Sequence, residues 1–533
     1  MPDTRAASGA FDHLAGDFFS VWLRYHPDAA LAAGIADFAD QLPPRSDDDQ
    51  AALASYLESL ILALEELDAD ALDEPRRIDL ALLSALAFSE HRELLSSDWR
   101  HRDPLRHLSL GVIHRLTMLN PDRLRDALAA MLGGMPAHLR LAQTQLAQTA
   151  ELVPAPLAEA AVAAASDGRR YLRELARSRW LRKHCHGYGE VETLAEAAAT
   201  ALGYFGETLA REVLPRATGR VGCGLPQLRL LLRQRHFLDV EPAACGGLLE
   251  ALAAGTEAAA FGDGGVGGVP EAARAGQTLE LVRTESAALA ARLEAEGIAT
   301  LPPVPLQVRS GPACPRPGRP CIDYVPDLRR GEGVLCVSEA GDGIAVTAQR
   351  TAIRLECLHL GWGGAHLLGF AGGMAARSLP RRLAASATLA GGWGLALDRR
   401  LFDADGADLG DRKAVLSRRA RAIRLARVDL DLHAGRLSAS AALDDLIALG
   451  LDRSVALGAL AGIIQRPGDA LARVLGWRMI ELARKDSSGI DERAFNDRLL
   501  TLGPVPLPLA LRHAVGDETE RRAAAALVTE YAG

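Results

Sequence analysis

The sequence predicts a mainly α-helical protein with a small β-sheet near residues 300–345. Alanine, leucine, arginine and glutamate dominate the 533-residue chain, and these residues have high intrinsic helix propensity. Apolar residues recur at spacings of three and four over most of the chain, which is typical of amphipathic helices. Two short β-branched segments, at 301–310 and 333–338, are flanked by proline and glycine and indicate strands.

Prolines and glycines bound the helices of the N-terminal half. The first helix should end near His26, because the residue before Pro27 is pushed out of the α region. A second helix should begin at Pro27 and be closed by Gly34. Two helices are expected within 121–152, separated by the glycine- and proline-containing residues 133–136. The other predicted helices of this part of the chain span 50–70, 75–98, 154–180, 190–216 and 270–297.

A glycine-rich break at 262–268 divides the chain into two predicted lobes of one continuous fold. The N-terminal lobe, 1–262, is helical. The C-terminal lobe, 269–533, contains the small sheet, and its helical pattern returns from Ile344.

Composition excludes several classes of function. The net charge is −8 and aromatic residues make up 5% of the chain, so a nucleic-acid partner is not expected. The chain contains no run of about 18 apolar residues that would predict a membrane span. Its first 15 residues do not resemble a signal peptide. The seven cysteines form no C-x-x-C pair. Free thiols in the cytoplasm are the simplest interpretation.

The segment 358–368 (LHLGWGGAHLL) is the candidate centre of the protein. A catalytic zinc site needs three protein ligands, an open position and a nearby carboxylate. His359 and His366 lie seven residues apart, which is about 10.5 Å along a straight helix and too far for easy convergence on one ion. Gly361, Gly363 and Gly364 together cost an uninterrupted helix roughly 3 kcal/mol relative to alanine. The glycines therefore predict a tight turn or a close backbone approach.

This segment resembles the signature H-E-G-x-P-G-H-H-L-Q of the bacterial family known as Domain of Unknown Function 885, a helical family related to zinc peptidases of the gluzincin type. Residues 359–368 (HLGWGGAHLL) align with it without a gap. His359 and His366 match its first and last histidines. Leu360 replaces the glutamate, and Ala365 replaces the other histidine.

Four further segments resemble the same family in the same order. Residues 391–398 (GGWGLALD) are similar to E-G-W-A-L-Y-A-E, with Gly391 in place of the third zinc ligand. Residues 429–435 (DLDLHAG) keep the pattern D-x-x-L-H-x-G. Residues 467–476 (PGDALARVLG) resemble P-G-Q-A-x-x-Y-K-x-G, with Arg473 in place of the tyrosine. Residues 495–507 resemble F-H-x-x-L-L-x-x-G-x-x-P-L, with Asn496 in place of the histidine.

The resemblance implies a large multi-helix zinc-peptidase-like fold with a central cleft. It also implies a degenerate site, because Leu360, Gly391, Arg473 and Asn496 replace polar groups while the residues that shape the backbone persist. Loss of the general base alone removes orders of magnitude in rate. We therefore expect no catalytic residue and no bound cofactor, with zinc at His359 and His366 as the alternative.

Other candidate residues each have two interpretations. Glu356 or Asp398 could complete a metal site with His359 and His366. In the alternative interpretation, the two histidines are buried and their ring nitrogens are hydrogen-bonded within the protein. Asp429 and His433 form a helix-end pair or a catalytic pair. Trp362 and Trp393 belong to the core or line a pocket. The arginine-rich residues 412–427 form a solvated helix face or bind carboxylates. The candidates for lining the predicted cleft are Glu356, Trp362, Trp393, Asp398, Asp429, His433 and Arg473.

These observations favour a non-catalytic relative of the peptidases that binds a peptide, a small molecule or a partner protein in the cleft. A working metal-dependent hydrolase rebuilt around His359 and His366 is the first alternative. A structural or assembly subunit is the second.

Overall fold

A computed structural model describes residues 4–96, 98–261, 272–273, 275–312, 322–338, 346–347, 350–373, 378–384, 386–402 and 408–529. These residues are mainly helical, as predicted. The α-helices in chain order are α1 (Thr4–Tyr25), α2 (Pro27–Ala32), α3 (Asp47–Glu65), α4 (Glu74–Ser96), α5 (Leu110–Leu119), α6 (Leu124–Gln148), α7 (Ala155–Arg177), α8 (Arg179–His184), α9 (Tyr188–Thr208), α10 (Leu225–His236), α11 (Cys245–Phe261), α12 (Ala275–Ala295), α13 (Arg350–Leu360), α14 (Ala365–Phe370), α15 (Leu379–Leu383), α16 (Ala387–Phe402), α17 (Leu409–His433), α18 (Ala439–Ala448), α19 (Arg453–Gln465), α20 (Asp469–Asp486), α21 (Glu492–Leu500), α22 (Leu507–Val515) and α23 (Asp517–Thr529).

The strands are β1 (Ala272–Ala273), β2 (Leu306–Gly311), β3 (Ile322–Asp327), β4 (Glu332–Ser338) and β5 (Val346–Thr347). β2, β4 and β3 form the small sheet in that order, and β1 pairs with β5. The sequence predicted β2 and β4 but not β3, which contains Pro326. This proline is accommodated because β3 is an edge strand, antiparallel to β4, with Pro326 opposite Gly333.

The chain divides into two compact units, each discontinuous in sequence. Unit 1 comprises 1–220, 307–344 and 378–383, and unit 2 comprises 221–306, 345–377 and 384–533. The lobe boundary predicted from composition, between 262 and 269, rests on a glycine-rich segment outside the described residues. The lobes 1–262 and 269–533 therefore stay a prediction.

The first two helices of unit 1 follow the sequence closely. α1 ends at Tyr25, α2 begins at Pro27, and Gly34 follows it with a φ of +77°. Leucines and aromatic residues from α1, α3 and α4 pack into one apolar cluster. A second cluster is built on α5, α6, α7 and α9, and it includes Val325 and Val334 from the sheet.

The predicted break at 133–136 is wrong, because α6 runs through it with Pro136 inside the helix. A proline inside a helix costs about 3 kcal/mol. Leu132, Met135 and Leu139 on the same helix are all fully or almost fully buried. Burial of each such side chain contributes about 1.5–3 kcal/mol, so tertiary packing outweighs the local signal.

Candidate functional site

The segment 358–368 in unit 2 contains the end of one helix, a short turn and the start of a second helix. α13 ends at Leu360 and α14 begins at Ala365, so the expected interruption at the glycines is confirmed. A Cβ atom at Gly364 would lie 1.8 Å from the His359 carbonyl oxygen, and one at Gly361 would lie 2.4 Å from the Cys357 carbonyl oxygen. Such contacts are far inside van der Waals distance, so only glycine fits this turn.

His366 is fully buried on α14 and has a defined hydrogen bond. Its Nε2 lies 3.0 Å from the Val304 carbonyl oxygen, so Nε2–H donates to that carbonyl. Trp362 and Phe370 pack around the ring, with ring centroids 4.8 and 5.0 Å away. Desolvation by burial lowers the pKa of His366 to about 4, although the carbonyl favours the charged form. The ring is therefore neutral at pH 7.

We expect this histidine to make the protein less stable in mild acid. The unfolded chain takes up a proton near pH 6.5, whereas folded His366 does so only near pH 4. The free energy of unfolding should therefore fall by up to about 3 kcal/mol as pH is lowered from 6.5 to 4. Urea denaturation at several pH values measures this, and His366→Gln, which keeps an amide donor, should flatten that part of the curve.

The matched control for this experiment is His513→Gln, which removes an exposed imidazole from unit 2. It should leave the wild-type pH dependence in place. If His366→Gln and the wild type lose the same free energy between pH 6.5 and 4, the assignment of this acid sensitivity to His366 is wrong.

His359, at the end of α13, pairs with a carboxylate on α16. Its Nε2 lies 2.8 Å from Oδ1 of Asp398, which is almost fully buried. The other carboxylate oxygen, Oδ2, lies 3.5 Å from Nε of Arg418. The second ring nitrogen of His359 faces Gly394, where a Cβ atom would lie only 2.9 Å from Nδ1. His359, Asp398 and Arg418 thus form one polar row along α16.

Gly391, at the position where the resemblance implies a third zinc ligand, lies beneath the side chain of Arg473. A Cβ atom at Gly391 would meet Cγ of Arg473 at 2.6 Å and Nε at 2.9 Å. Two positions that depart from the family pattern are therefore in direct contact, although they are far apart in sequence. The glycine on α16 makes room for the arginine on α20.

The two tryptophans of the matching segments differ in burial. Trp393 is 2% exposed, and its Nε1–H donates to the Gly363 carbonyl oxygen over 2.8 Å, which joins α16 to the glycine turn. Trp362 and Leu360 are half-buried, whereas Glu356 is exposed. Among the residues predicted to line a cleft, Glu356 and Arg473 are the exposed ones. The cleft itself stays a prediction.

Asp429 and His433 are buried at the end of α17 and bind backbone groups. The carboxylate of Asp429 accepts hydrogen bonds from Gly468 N at 2.9 Å and Leu471 N at 3.0 Å, at the start of α20. His433 accepts from Cys223 N at Nδ1, so its proton is on Nε2, which donates to the Ile463 carbonyl oxygen. This geometry favours the helix-end interpretation over the catalytic one.

Asn496, on α21, is also fully buried, and both the oxygen and the nitrogen of its side-chain amide are hydrogen-bonded. Its Oδ1 accepts from Arg484, and its Nδ2 donates to the Ile298 carbonyl oxygen over 2.8 Å. Its contacts are those of a residue that holds a loop in place.

The described residues contain no group of three or more His, Cys, Asp or Glu side chains placed to hold a metal ion. The sequence names Asp398, like Glu356, only as a possible metal ligand beside the two histidines, and its hydrogen bond with His359 is seen only in the structure. Arg418 was predicted only as part of the arginine-rich run, and the roles of Gly394 and the Val304 carbonyl carried no sequence signal, because they depend on long-range contacts.

The described cysteines Cys185, Cys223, Cys245, Cys336 and Cys357 are not in disulfide bonds. None of the helices in the described part of the chain is both long and apolar enough to cross a membrane. The predicted cytoplasmic location stays a prediction.

Comparisons with known proteins agree with the resemblance noted in the sequence. The profile of the family described as "Bacterial protein of unknown function (DUF885)" matches residues 269–515. No curated protein matches the chain.

Two solved structures are similar in fold. One is described as a "putative lipoprotein of unknown function" from Shewanella oneidensis; it has 15% identity and a TM-score of 0.67, over 94% of this chain and 99% of that one. The other, a "putative lipoprotein" from Colwellia psychrerythraea, has 14% identity and a TM-score of 0.65, over 98% of this chain and 100% of that one. The chain thus shares the fold of these two structures, and its residues 269–515 match DUF885, a family of bacterial proteins of unknown function.

Proposed function

We propose that this chain is a non-catalytic relative of a metallopeptidase-like family, and that it binds a peptide, a small molecule or a partner protein instead of cleaving it. The observation that carries the proposal is the contact between Arg473 and Gly391. A guanidinium lies where the resemblance implies a metal-ligating carboxylate, and a cation at that place repels Zn²⁺.

The contacts of the two histidines support the same conclusion. His366 donates its Nε2 proton to a carbonyl oxygen in apolar surroundings, and His359 holds Asp398 through its Nε2. Nδ1 of His359 faces the backbone of α16 at Gly394. This set of residues does not fit the three-ligand site with an open position that a zinc hydrolase needs.

The general base has no substitute at its aligned position either. Leu360 stands where the resemblance implies the glutamate, and Glu356 on the same helix is exposed to solvent. An apolar side chain cannot accept a proton from water, so the water-activating step has no acceptor at that position.

Metal analysis and peptide cleavage, measured on the same preparation, test this proposal. We expect far less than one zinc per chain by elemental analysis, and no EDTA-sensitive cleavage of a peptide library. The control is His359→Ala, assayed in parallel to identify a contaminating peptidase. Stoichiometric zinc together with EDTA-sensitive cleavage that His359→Ala abolishes would overturn the proposal and establish the rebuilt hydrolase.

A further inference from the structure

Arg473 is a charged group whose guanidinium has no hydrogen-bonded partner among the described residues. Among the residues that the structure describes, no hydrogen bond or ion pair is made by its guanidinium. Its Cβ, Cγ and Nε atoms lie over the bare backbone of Gly391 on α16. The side chain is thus positioned by packing, while its donors stay available.

Arg473 is exposed to solvent but has protein atoms close around it. The side chain is accessible to solvent. Desolvation by nearby protein atoms nevertheless lowers the pKa of Arg473, and the like charge of Arg418 adds to this effect. Arg473 is therefore accessible to a ligand and at the same time close to other protein atoms.

The carboxylates near Arg473 already have other side-chain partners, which include Arg418 and Arg466. Asp398 is 2.8 Å from His359 and 3.5 Å from Arg418. Asp469, one turn before Arg473 on α20, is 3.2 Å from Nε2 of His236 and 3.3 Å from Nε of Arg466. An excess of positive charge therefore remains at Arg473.

The surface next to Arg473 is formed by one face of α16. Gly391, Gly394 and Asp398 follow one another at spacings of three and four, so they lie on the same face. Arg473 covers the first of these positions, and His359 covers the second and third. Arg418 reaches the same row at Asp398 and is itself one-third exposed. Two guanidiniums and an imidazole thus lie along one surface.

From this arrangement we infer that unit 2 binds an oxyanion, a carboxylate or a phosphate group of its ligand, with Arg473 as the main contact and Arg418 as the second. The planar fork of a guanidinium matches the oxygens of either group in a bidentate manner. This inference rests on the proposed binding function and names the chemistry of the ligand.

Titration calorimetry at low ionic strength tests the inference on the full chain. The probes are inorganic phosphate, N-acetyl-dialanine with its free carboxylate, and the same dipeptide as an amide. We expect at least one of the two anions to bind and the amide not to bind. The anion that binds more tightly shows whether the ligand group is a phosphate or a carboxylate. Arg473→Met, which keeps an aliphatic cover over Gly391, should weaken binding about tenfold or more.

Two further variants make the result specific. Arg473→Lys keeps the charge but loses the fork, so its affinity should lie between those of the wild type and Arg473→Met. Arg498→Met removes an exposed arginine elsewhere in unit 2 and should bind as the wild type does. Circular dichroism and the urea midpoint show whether Arg473→Met is folded, and Arg473→Lys replaces it if it is not.

The inference is overturned if neither anion binds the wild type, or if Arg473→Met binds within twofold of it. These outcomes are distinct from failure of the proposed function. Anion binding together with EDTA-sensitive cleavage keeps the oxyanion site and rejects the non-catalytic proposal. If neither anion binding nor EDTA-sensitive cleavage is found, the non-catalytic proposal stands and the oxyanion site is rejected.

Discussion

Gly476→Ala is expected to lower the free energy of unfolding by about 3 kcal/mol or more. A Cβ atom at Gly476 on α20 would lie 2.0 Å from the Thr388 carbonyl oxygen on α16. Across the same crossing, a Cβ atom at Gly392 would lie 2.5 Å from Gly476 C. Both obstacles are backbone atoms within helices, so the added methyl group has to move one helix as a whole. Urea denaturation followed by circular dichroism measures the loss.

Gly458→Ala is the matched control for this substitution. Gly458 lies in α19, is exposed, and has open space where its Cβ atom would be. Alanine should therefore stabilise the chain there by about 0.5–1 kcal/mol, because it has the higher helix propensity. If Gly476→Ala were as stable as Gly458→Ala, the close crossing of α16 and α20 would be wrong, and with it the placement of Arg473 over Gly391.

Asp429→Ala is expected to cost about 3 kcal/mol or more at pH 6. The carboxyl is fully buried, and its removal leaves the N–H groups of Gly468 and Leu471 without an acceptor. Each buried donor without a partner costs about 1–3 kcal/mol, and the start of α20 loses its cap. Since α20 carries Arg473, oxyanion binding should weaken as well. Urea denaturation of Asp429→Ala measures the loss of stability, with exposed Asp444→Ala as the control.

The pH dependence of Asp429 provides an independent check. Desolvation by burial raises the pKa of Asp429 to about 7, although the backbone donors of Gly468, Leu471 and Ala470 favour its charged form. A raised folded pKa means that the native state holds a proton that the unfolded state loses near pH 4. The contribution is therefore fully present below pH 4 and is lost as pH rises towards 7. The Asp429→Ala curve should lack this decline. A decline equal to that of the wild type would contradict the assignment.

Local chemistry explains which features of the fold could be predicted. The helix boundary at Pro27 and the turn at Gly34 follow from residues that act on their own backbone. The interruption between Leu360 and Ala365 follows from three glycines within four residues. By contrast, Pro136 predicted a helix break that does not occur, because burial of the helix outweighs the cost of the proline. Strand β3 was not predicted, because it contains Pro326, which an edge strand can accommodate.

The candidate site was less predictable, because its contacts join distant parts of the chain. The sequence identified Gly391 and Arg473 as two separate departures from a family pattern. Only the structure places one on the other. The sequence named Glu356 and Asp398 only as alternative carboxylates for a metal site, and the structure places Asp398 on α16 in a hydrogen bond with His359, whereas Glu356 is exposed. Asp429 and His433 are paired as the sequence suggests, with Nε2 of His433 3.4 Å from Oδ1 of Asp429, but only the structure shows that both also bind backbone groups of other segments.

The sequence by itself determined the helical class, the small sheet, the glycine turn at 361–364 and the likeness of residues 269–515 to DUF885, because propensity, steric restriction and motif spacing act over short distances. The tertiary structure decided that Arg473 covers Gly391, that His366 binds the Val304 carbonyl and that Asp429 caps α20. Those contacts depend on where two helices cross, and the crossing is set by packing between segments that are far apart in the chain.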